Sequence, residues 1–426
     1  MKKDSAEKKN RKSGRLTAEL TVNSPVPAET TSSRAVGFGR KAKPIQVVRV
    51  RGSYDMVLLL IAVLLSLMGV ITVFSSSFAY SYTFYGDSYY YIKGHIRYVI
   101  VGFIAMTAMM FVDYTLVKKI TVPAYVVSLG LLGVVLVYGG VLGVARRWIT
   151  VFGFSVQPSE IAKLTVVLIL ALYVSRNQNR IVNYANFGQS TLYGIIIPAI
   201  ILAVPCFLIV LENHFSGTLI VFAIGAVIIF ASGARPGWIA IAVGSVLVIM
   251  VILIMTSSYA RTRVDMLIHP ENYDPKGEIW QTIQGLNAIG SGGLFGVGIG
   301  NSKQKYLFVS QPQNDFIFSI LCEETGFAGA VLVIILFILL IWRGFRVAMR
   351  APDTFSSLVA LGLTGKIAIQ TILNIAVVTN TVPNTGVSLP FFSCGGTAVI
   401  AQLAEIGILL SISRFSYVEM PETLPQ

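Results

Sequence analysis

Residues 54–77 read YDMVLLLIAVLLSLMGVITVFSSS, and this stretch decides the fold class. About 20 consecutive apolar residues suffice for a helix to cross the hydrocarbon core of a bilayer. The run follows roughly fifty polar, charged residues, far more than the short basic segment that opens a secretory signal peptide, so a retained membrane anchor is expected. Working outward, comparable runs lie near 96–112, 120–140, 159–175, 191–211, 215–232, 237–256, 314–342, 356–380 and 396–414. The expectation is an all-α polytopic membrane protein of ten transmembrane helices, with a long extracellular loop, 257–313, between helices 7 and 8. Composition agrees: 54% of the 426 residues are hydrophobic, 12% are charged and mean hydropathy is +0.73, which excludes an ordinary soluble domain.

Three segments follow from charge. Residues 1–52 form a basic tail expected to be disordered and cytoplasmic; to residue 53 there are thirteen Lys or Arg against four Asp or Glu. Residues 53–416 form the membrane domain, and 417–426 a short cytoplasmic tail. With the amino terminus inside, ten spans also place Lys118, Lys119, Arg176, Arg180, Arg235, Arg343, Arg346 and Arg350 inside, as the positive-inside rule requires. Both termini are then cytoplasmic, and 79–94, 141–158, 257–313 and 381–395 face outward. Cys206, Cys322 and Cys394 have unrelated spacings and suggest neither a disulfide framework nor a zinc site.

Chemistry-bearing residues gather in the outward segments. ARRWITVFGFSVQPSE (145–160) combines Arg146, Arg147 and Trp148 with a helix start in which Pro158 fits the first turn and Glu160 meets the favourable end of the helix dipole. An interfacial tryptophan with headgroup-binding arginines explains the same residues. GLNAIGSGGLFGVGIGNSKQKY (285–306) reads either as a re-entrant loop or, through Lys303 and Lys305, as a cradle for a diphosphate. SQPQNDFIFSILCEETG (310–326) sets Asn314 and Asp315 where either caps the following helix, and carries Glu323 and Glu324 into the apolar run. Lys366 and Glu405 are ionisable groups within spans and are functional candidates by default. NTGVSLPFFSCGGTA (384–398) breaks at Pro390 and at Gly395 and Gly396, and ENHFSG (212–217) brings Glu212 and His214 near the outer face.

In this order RRWI, QPSEIAK, QGLNAIGSGGLFGVGIGNSKQKY, QNDFIFSILCEETG and SLPFFSCGGTA resemble the signature of the SEDS family, the proteins of shape, elongation, division and sporulation, over roughly 54–415. The resemblance implies a ten-helix peptidoglycan glycosyltransferase of the cell membrane. It joins lipid II into glycan strands on the outer face, alongside a class B penicillin-binding protein and other division or elongation membrane proteins, without nucleic acid. It places the catalytic aspartate on Asp315 and substrate contacts on Arg146, Arg147, Trp148, Gln157, Ser159, Glu160, Lys303, Lys305, Ser393, Gly395 and Gly396. The chain departs at Gln311, where the family often has glutamate, and at CGGTA, so Asp315 is left without that second carboxylate. An α-linked diphosphate donor and a β-linked product need one base and an already good leaving group. No tightly bound cofactor is expected; cationic side chains or a divalent cation, Mg2+ or Mn2+, would stabilise the departing diphosphate. The competing expectations are a lipid II flippase or other membrane transporter, whose broken helices and intramembrane charges look alike, and a scaffold that recruits partners through its basic tail.

Overall fold

The computed structural model describes residues 47–51, 53–138, 147–151, 154–212, 214–235 and 258–421, with isolated positions between 237 and 255. Among the described residues, eight helices are long and apolar enough to cross a membrane: α1 (Met56–Tyr85), α2 (Tyr90–Phe111), α3 (Tyr114–Tyr138), α4 (Pro158–Ile181), α5 (Phe187–Leu211), α9 (Ile317–Met349), α10 (Thr354–Val378) and α11 (Gly396–Phe415). Helix α6 (Phe215–Ala231) is apolar but shorter. The span expected at 237–256 and the tail at 1–46 lie almost wholly outside the described residues, so the count of ten is not established.

Several boundaries move for physical reasons. Helix α1 runs past the expected end at 77 to Tyr85 and stops at Gly86, whose φ of 68° closes the helix in the left-handed conformation. The loop expected at 257–313 contains α7 (Ser258–Ile268) and α8 (Trp280–Ser291). Helix α5 passes through a π-helical turn at Leu192–Ile196 just ahead of Pro198, whose missing N–H cannot continue the ladder. Strands β1 (Val47–Arg51) and β4 (Tyr417–Pro421) pair antiparallel, with Val47 opposite Pro421, where sequence alone assigns both to tails.

Helices α4, α10 and α11 are buried over most of their lengths, whereas α2, α3 and α5 keep large apolar side chains exposed, as lipid-facing helices do. In lipid, helix association rests on close packing more than on expulsion of water. The tightest helix pair shows this: a side chain at Gly102 of α2 would strike Leu403 of α11, and one at Gly407 of α11 would strike the Met106 carbonyl. At one end of the bundle the Asp55 carboxylate caps α1 by accepting from Leu58 N at 3.0 Å and takes Nη2 of Arg343 at 2.7 Å. Further along, Ser75 Oγ donates to Glu324 at 2.5 Å, so α1 and α9 lie antiparallel in a fixed register.

Candidate active site

At the opposite end from Asp55 and Arg343, the start of α4 and the start of α6 meet the approaches to α9 and α11. Each is positioned by local sequence. The hairpin of β2 (Ile149–Val151) and β3 (Phe154–Val156) feeds α4, with Pro158 in the first turn. Tyr98 Oη accepts from Ser155 N at 2.9 Å, and Thr397 Oγ1 accepts from Gln157 N at 2.7 Å, tying this hairpin to α2 and α11. Residues 384–395 form a strap between α10 and α11. Asn374 of α10 donates to the Val387 carbonyl at 2.7 Å and to the Asp315 carbonyl at 2.9 Å. Ser393 Oγ donates to the Asn314 carbonyl at 2.9 Å, and Cys394 N to the Gln313 carbonyl at 2.9 Å.

These elements enclose a cavity of about 400 Å³. Asp315 opens into it beside Gly386, which has φ 68° and whose missing side chain leaves room for the carboxylate. Neither Asn314 nor Asp315 caps α9: the cap position is Phe316, with no side-chain hydrogen bond, and Asn314 Nδ2 instead donates to Gln311 Oε1 at 2.7 Å. Asp315 is therefore released from the commonest structural job for such a residue. Burial raises its pKa above the ordinary carboxylate value, while the Arg147 and Arg263 guanidiniums pull it down; burial wins.

Of the residues expected at the site, the cavity gathers Asp315, Arg147, Trp148, Gln157, Glu160, Ser393 and Gly395. Ser159 stands behind this wall, 3.4 Å from His214 Nδ1, and Gly396 packs under the Tyr98 ring. Arg146 lies outside the described residues. Lys303 and Lys305, expected as diphosphate contacts, do not line the cavity. Lys305 is buried, and its Nζ donates to Ser75 at 3.0 Å and to Glu324 at 3.1 Å; Lys303 is exposed and gives its backbone N–H to Glu323 at 2.9 Å.

The same contacts explain the glycine-rich run and the two glutamates. Glu323 accepts from Ser302 Oγ and from the backbone N–H of Lys303 and Gln304. Helix α9 breaks at Gly326, with φ 70° and ψ −169°, and the loop slots into the break: Val297 N donates to the Glu323 carbonyl and Phe327 N to the Gly293 carbonyl. A side chain at Gly296 or Gly326 would collide with the opposing backbone. The glycines let the two backbones touch.

Beneath the cavity lies a buried charge quartet. Lys163 pairs with Glu160 at 2.5 Å, Lys366 with Glu405 at 2.5 Å, and Lys366 approaches Glu160 at 3.9 Å. Two carboxylates and two ammoniums balance, which is what burial in a bilayer demands. Sequence reasoning missed Gln370 in the wall, and Arg263, Lys163 and His214 were not singled out as cavity residues. A signal existed: Lys366, Gln370 and Asn374 recur every four residues on α10, one polar stripe on an apolar helix. Burial pushes His214 down to about 3, so its ring is neutral at neutral pH. Glu212, next to the wall, is buried with both oxygens lacking a hydrogen-bond partner among the described residues, and burial pushes it up to about 8.

Residues 55–418 match the family model described as "Cell cycle protein", that of FtsW, RodA and SpoVE. The chain is 38% identical over 367 residues to stage V sporulation protein E of Bacillus subtilis, covering 85% of this chain and 98% of that one. It is 36% identical over 365 residues to a probable peptidoglycan glycosyltransferase FtsW of Trichlorobacter lovleyi, covering 84% and 93%. Among solved structures it resembles a chain of a peptidoglycan synthase complex at TM-score 0.68 and 26% identity, covering 85% of this chain and 98% of that one. The fold is also that of the rod shape determining protein RodA of Thermus thermophilus, at TM-score 0.62 and 24% identity, covering 85% and 97%. With its motifs in order, its helices in this arrangement and the match spanning nearly all of the membrane domain, the chain belongs to the FtsW, RodA and SpoVE family, the SEDS proteins.

Proposed function

We infer that the protein is a peptidoglycan glycosyltransferase that polymerises lipid II on the outer face of the cytoplasmic membrane, with Asp315 as its base. The observation that carries this reading is Asp315 itself: a carboxylate freed from helix capping, with its pKa raised by burial, set in a polar cavity beside Arg147 and Arg263. The acceptor hydroxyl gives its proton to Asp315 as its oxygen attacks the anomeric carbon of the donor sugar. The bond from that carbon to the diphosphate oxygen breaks, and undecaprenyl diphosphate leaves with the electron pair. Attack opposite the leaving group converts the α-linkage into a β-linkage, so one base serves where the common glycosidases use two carboxylates. Arg147 and Arg263 supply positive charge for the departing diphosphate and, through the same charge, hold the base from becoming too weak an acid.

A divalent cation, if recruited, would be held chiefly by the diphosphate. Among the described residues no group of three or more His, Cys, Asp or Glu is placed to bind one, and Mg2+ commonly takes only one or two carboxylates together with substrate phosphates. A class B penicillin-binding protein is the proposed partner, supported by the likeness to a peptidoglycan synthase complex. Charge placement supports cytoplasmic termini and an outward cavity. Detergent separates this reading from a transporter, which has no membrane to work across. Purified wild-type protein with its transpeptidase should lengthen glycan strands from lipid II, and Asp315→Ala should not. A silent wild type would overturn the enzyme reading, and an active Asp315→Ala the assignment of the base.

A further inference from the structure

The turn joining α1 to α2 is crowded with aromatic residues, in FAYSYTFYGDSYYY (78–91), that the catalytic reading does not use. Tyr85 and Tyr90 stack with centroids 3.9 Å apart and planes 7° from parallel, and Tyr91 meets them edge-on at 5.7 and 5.4 Å. Tyr85 and Tyr90 are each about half exposed, at 49% and 50%. Asp87 ties the turn together, accepting from Tyr89 N at 2.9 Å and from Lys93 Nζ at 2.8 Å.

Aromatic belts at the membrane interface are the ordinary explanation of such residues. Height argues for more. The 30 residues of α1 rise about 45 Å, against a hydrocarbon core of about 30 Å. The charged Asp55–Arg343 pair marks one end, so the final turns of α1 climb beyond the acyl chains. The register that joins Asp55 to Arg343 and Ser75 to Glu324 continues upward to set Asp315 about level with Thr83 and Phe84. The tyrosines therefore stand at the height of the base. Their helix also reaches the cavity wall, because the ring of Tyr98, two turns beyond Tyr91 on α2, packs on Gly396 beside Gly395, which lines the cavity.

We propose that this aromatic hairpin is a binding platform for the emerging glycan strand, receiving β-linked amino-sugar rings as they leave the cavity. The proposal rests on the glycosyltransferase reading. A cavity of about 400 Å³ is on the scale of a small-molecule site, not of a polymer, so a growing strand must lie outside it. The axial C–H face of a β-linked pyranose is apolar and weakly positive and suits the negative face of an aromatic ring, while tyrosine hydroxyls meet the sugar hydroxyls at the edge.

The test is the pair Tyr85→Leu and Tyr90→Leu in the full chain, which removes the ring faces but keeps apolar bulk for the membrane interface. Purified protein is given lipid II, and the initial rate of linkage formation and the strand-length distribution are both measured. The platform predicts an unchanged initial rate and strands shortened roughly three- to tenfold, with length recovered in Tyr85→Trp with Tyr90→Phe. Wild-type lengths from the leucine pair, or shortening in proportion to a lost initial rate, would overturn it. A wild type that makes no strands would instead sink the glycosyltransferase reading. If the leucine pair does not fold, saturation transfer from aromatic protons to an N-acetylglucosamine tetramer, measured on the intact Asp315→Ala protein, decides: transfer lost in Tyr85→Ser supports the platform, and no transfer at all overturns it.

Discussion

Removing Lys366 tests the charge quartet that floors the cavity. Its Nζ lies 2.5 Å from Glu405 and 3.9 Å from Glu160, and all three side chains are almost wholly inaccessible. Lys366→Met keeps length and apolar bulk but leaves two carboxylates facing a single ammonium, that of Lys163. Breaking a buried pair by deleting one partner costs about 3–5 kcal/mol, because a charge is left uncompensated in a low-dielectric interior. Deleting both partners restores neutrality and removes most of that cost. At about 2 °C per kcal/mol, the lower end for large domains, Lys366→Met should lower the thermal midpoint in detergent by roughly 6–10 °C. Lys366→Met combined with Glu405→Met should recover more than half of the loss. The readout is the midpoint of the folded, monodisperse fraction for wild type, both single variants and the double. If the double variant is as unstable as the sum of the singles, the two residues do not act as a pair and the neutral-quartet argument fails.

The remaining predictions concern the base and the loop beside it. The initial polymerisation rate should climb with pH as Asp315 loses its proton, with an apparent pKa above the ordinary carboxylate value of about 3.9; Arg263→Gln should move this limb to higher pH, and a limb that stays or falls would refute the role of the arginine field. Gln311→Glu places a second carboxylate near the base, and like charge should again move the limb upward; an unchanged profile would show that position 311 does not face Asp315. Gly326→Ala forces a side chain onto a φ of 70° and into the backbone of the glycine-rich loop, and should cost at least about 1–3 kcal/mol, read as a lowered thermal midpoint. A fully stable Gly326→Ala would mean the loop does not insert as described.

Much of the site was legible because its cues are local. Pro158 and Glu160 announce the start of α4, and the carboxylate of Asp315 ahead of a long apolar run is conspicuous whatever its role. What escaped depends on partners far along the chain. Lys303 and Lys305 look available for an anion, yet Lys305 is consumed by Glu324 and Ser75, and only the inserted loop brings those groups together. The packing role of the glycines at 293–298 stays hidden until Gly326, about thirty residues on, supplies the break they fill. Gln370 and Asn374 carry no motif, and their meaning appears only once α10 is known to turn that stripe toward the strap and the start of α9.

The central claim is that Asp315 takes the proton in glycosyl transfer. The most direct measurement is single-turnover formation of the first β-linkage from purified lipid II by wild type and by Asp315→Asn, which preserves shape and removes basicity, with lipid II binding measured in parallel. Positioned general bases contribute about 10²–10⁴-fold, so Asp315→Asn should bind lipid II like the wild type and form the linkage slower by a factor in that range. Linkage formation at the wild-type rate with binding intact would contradict the account.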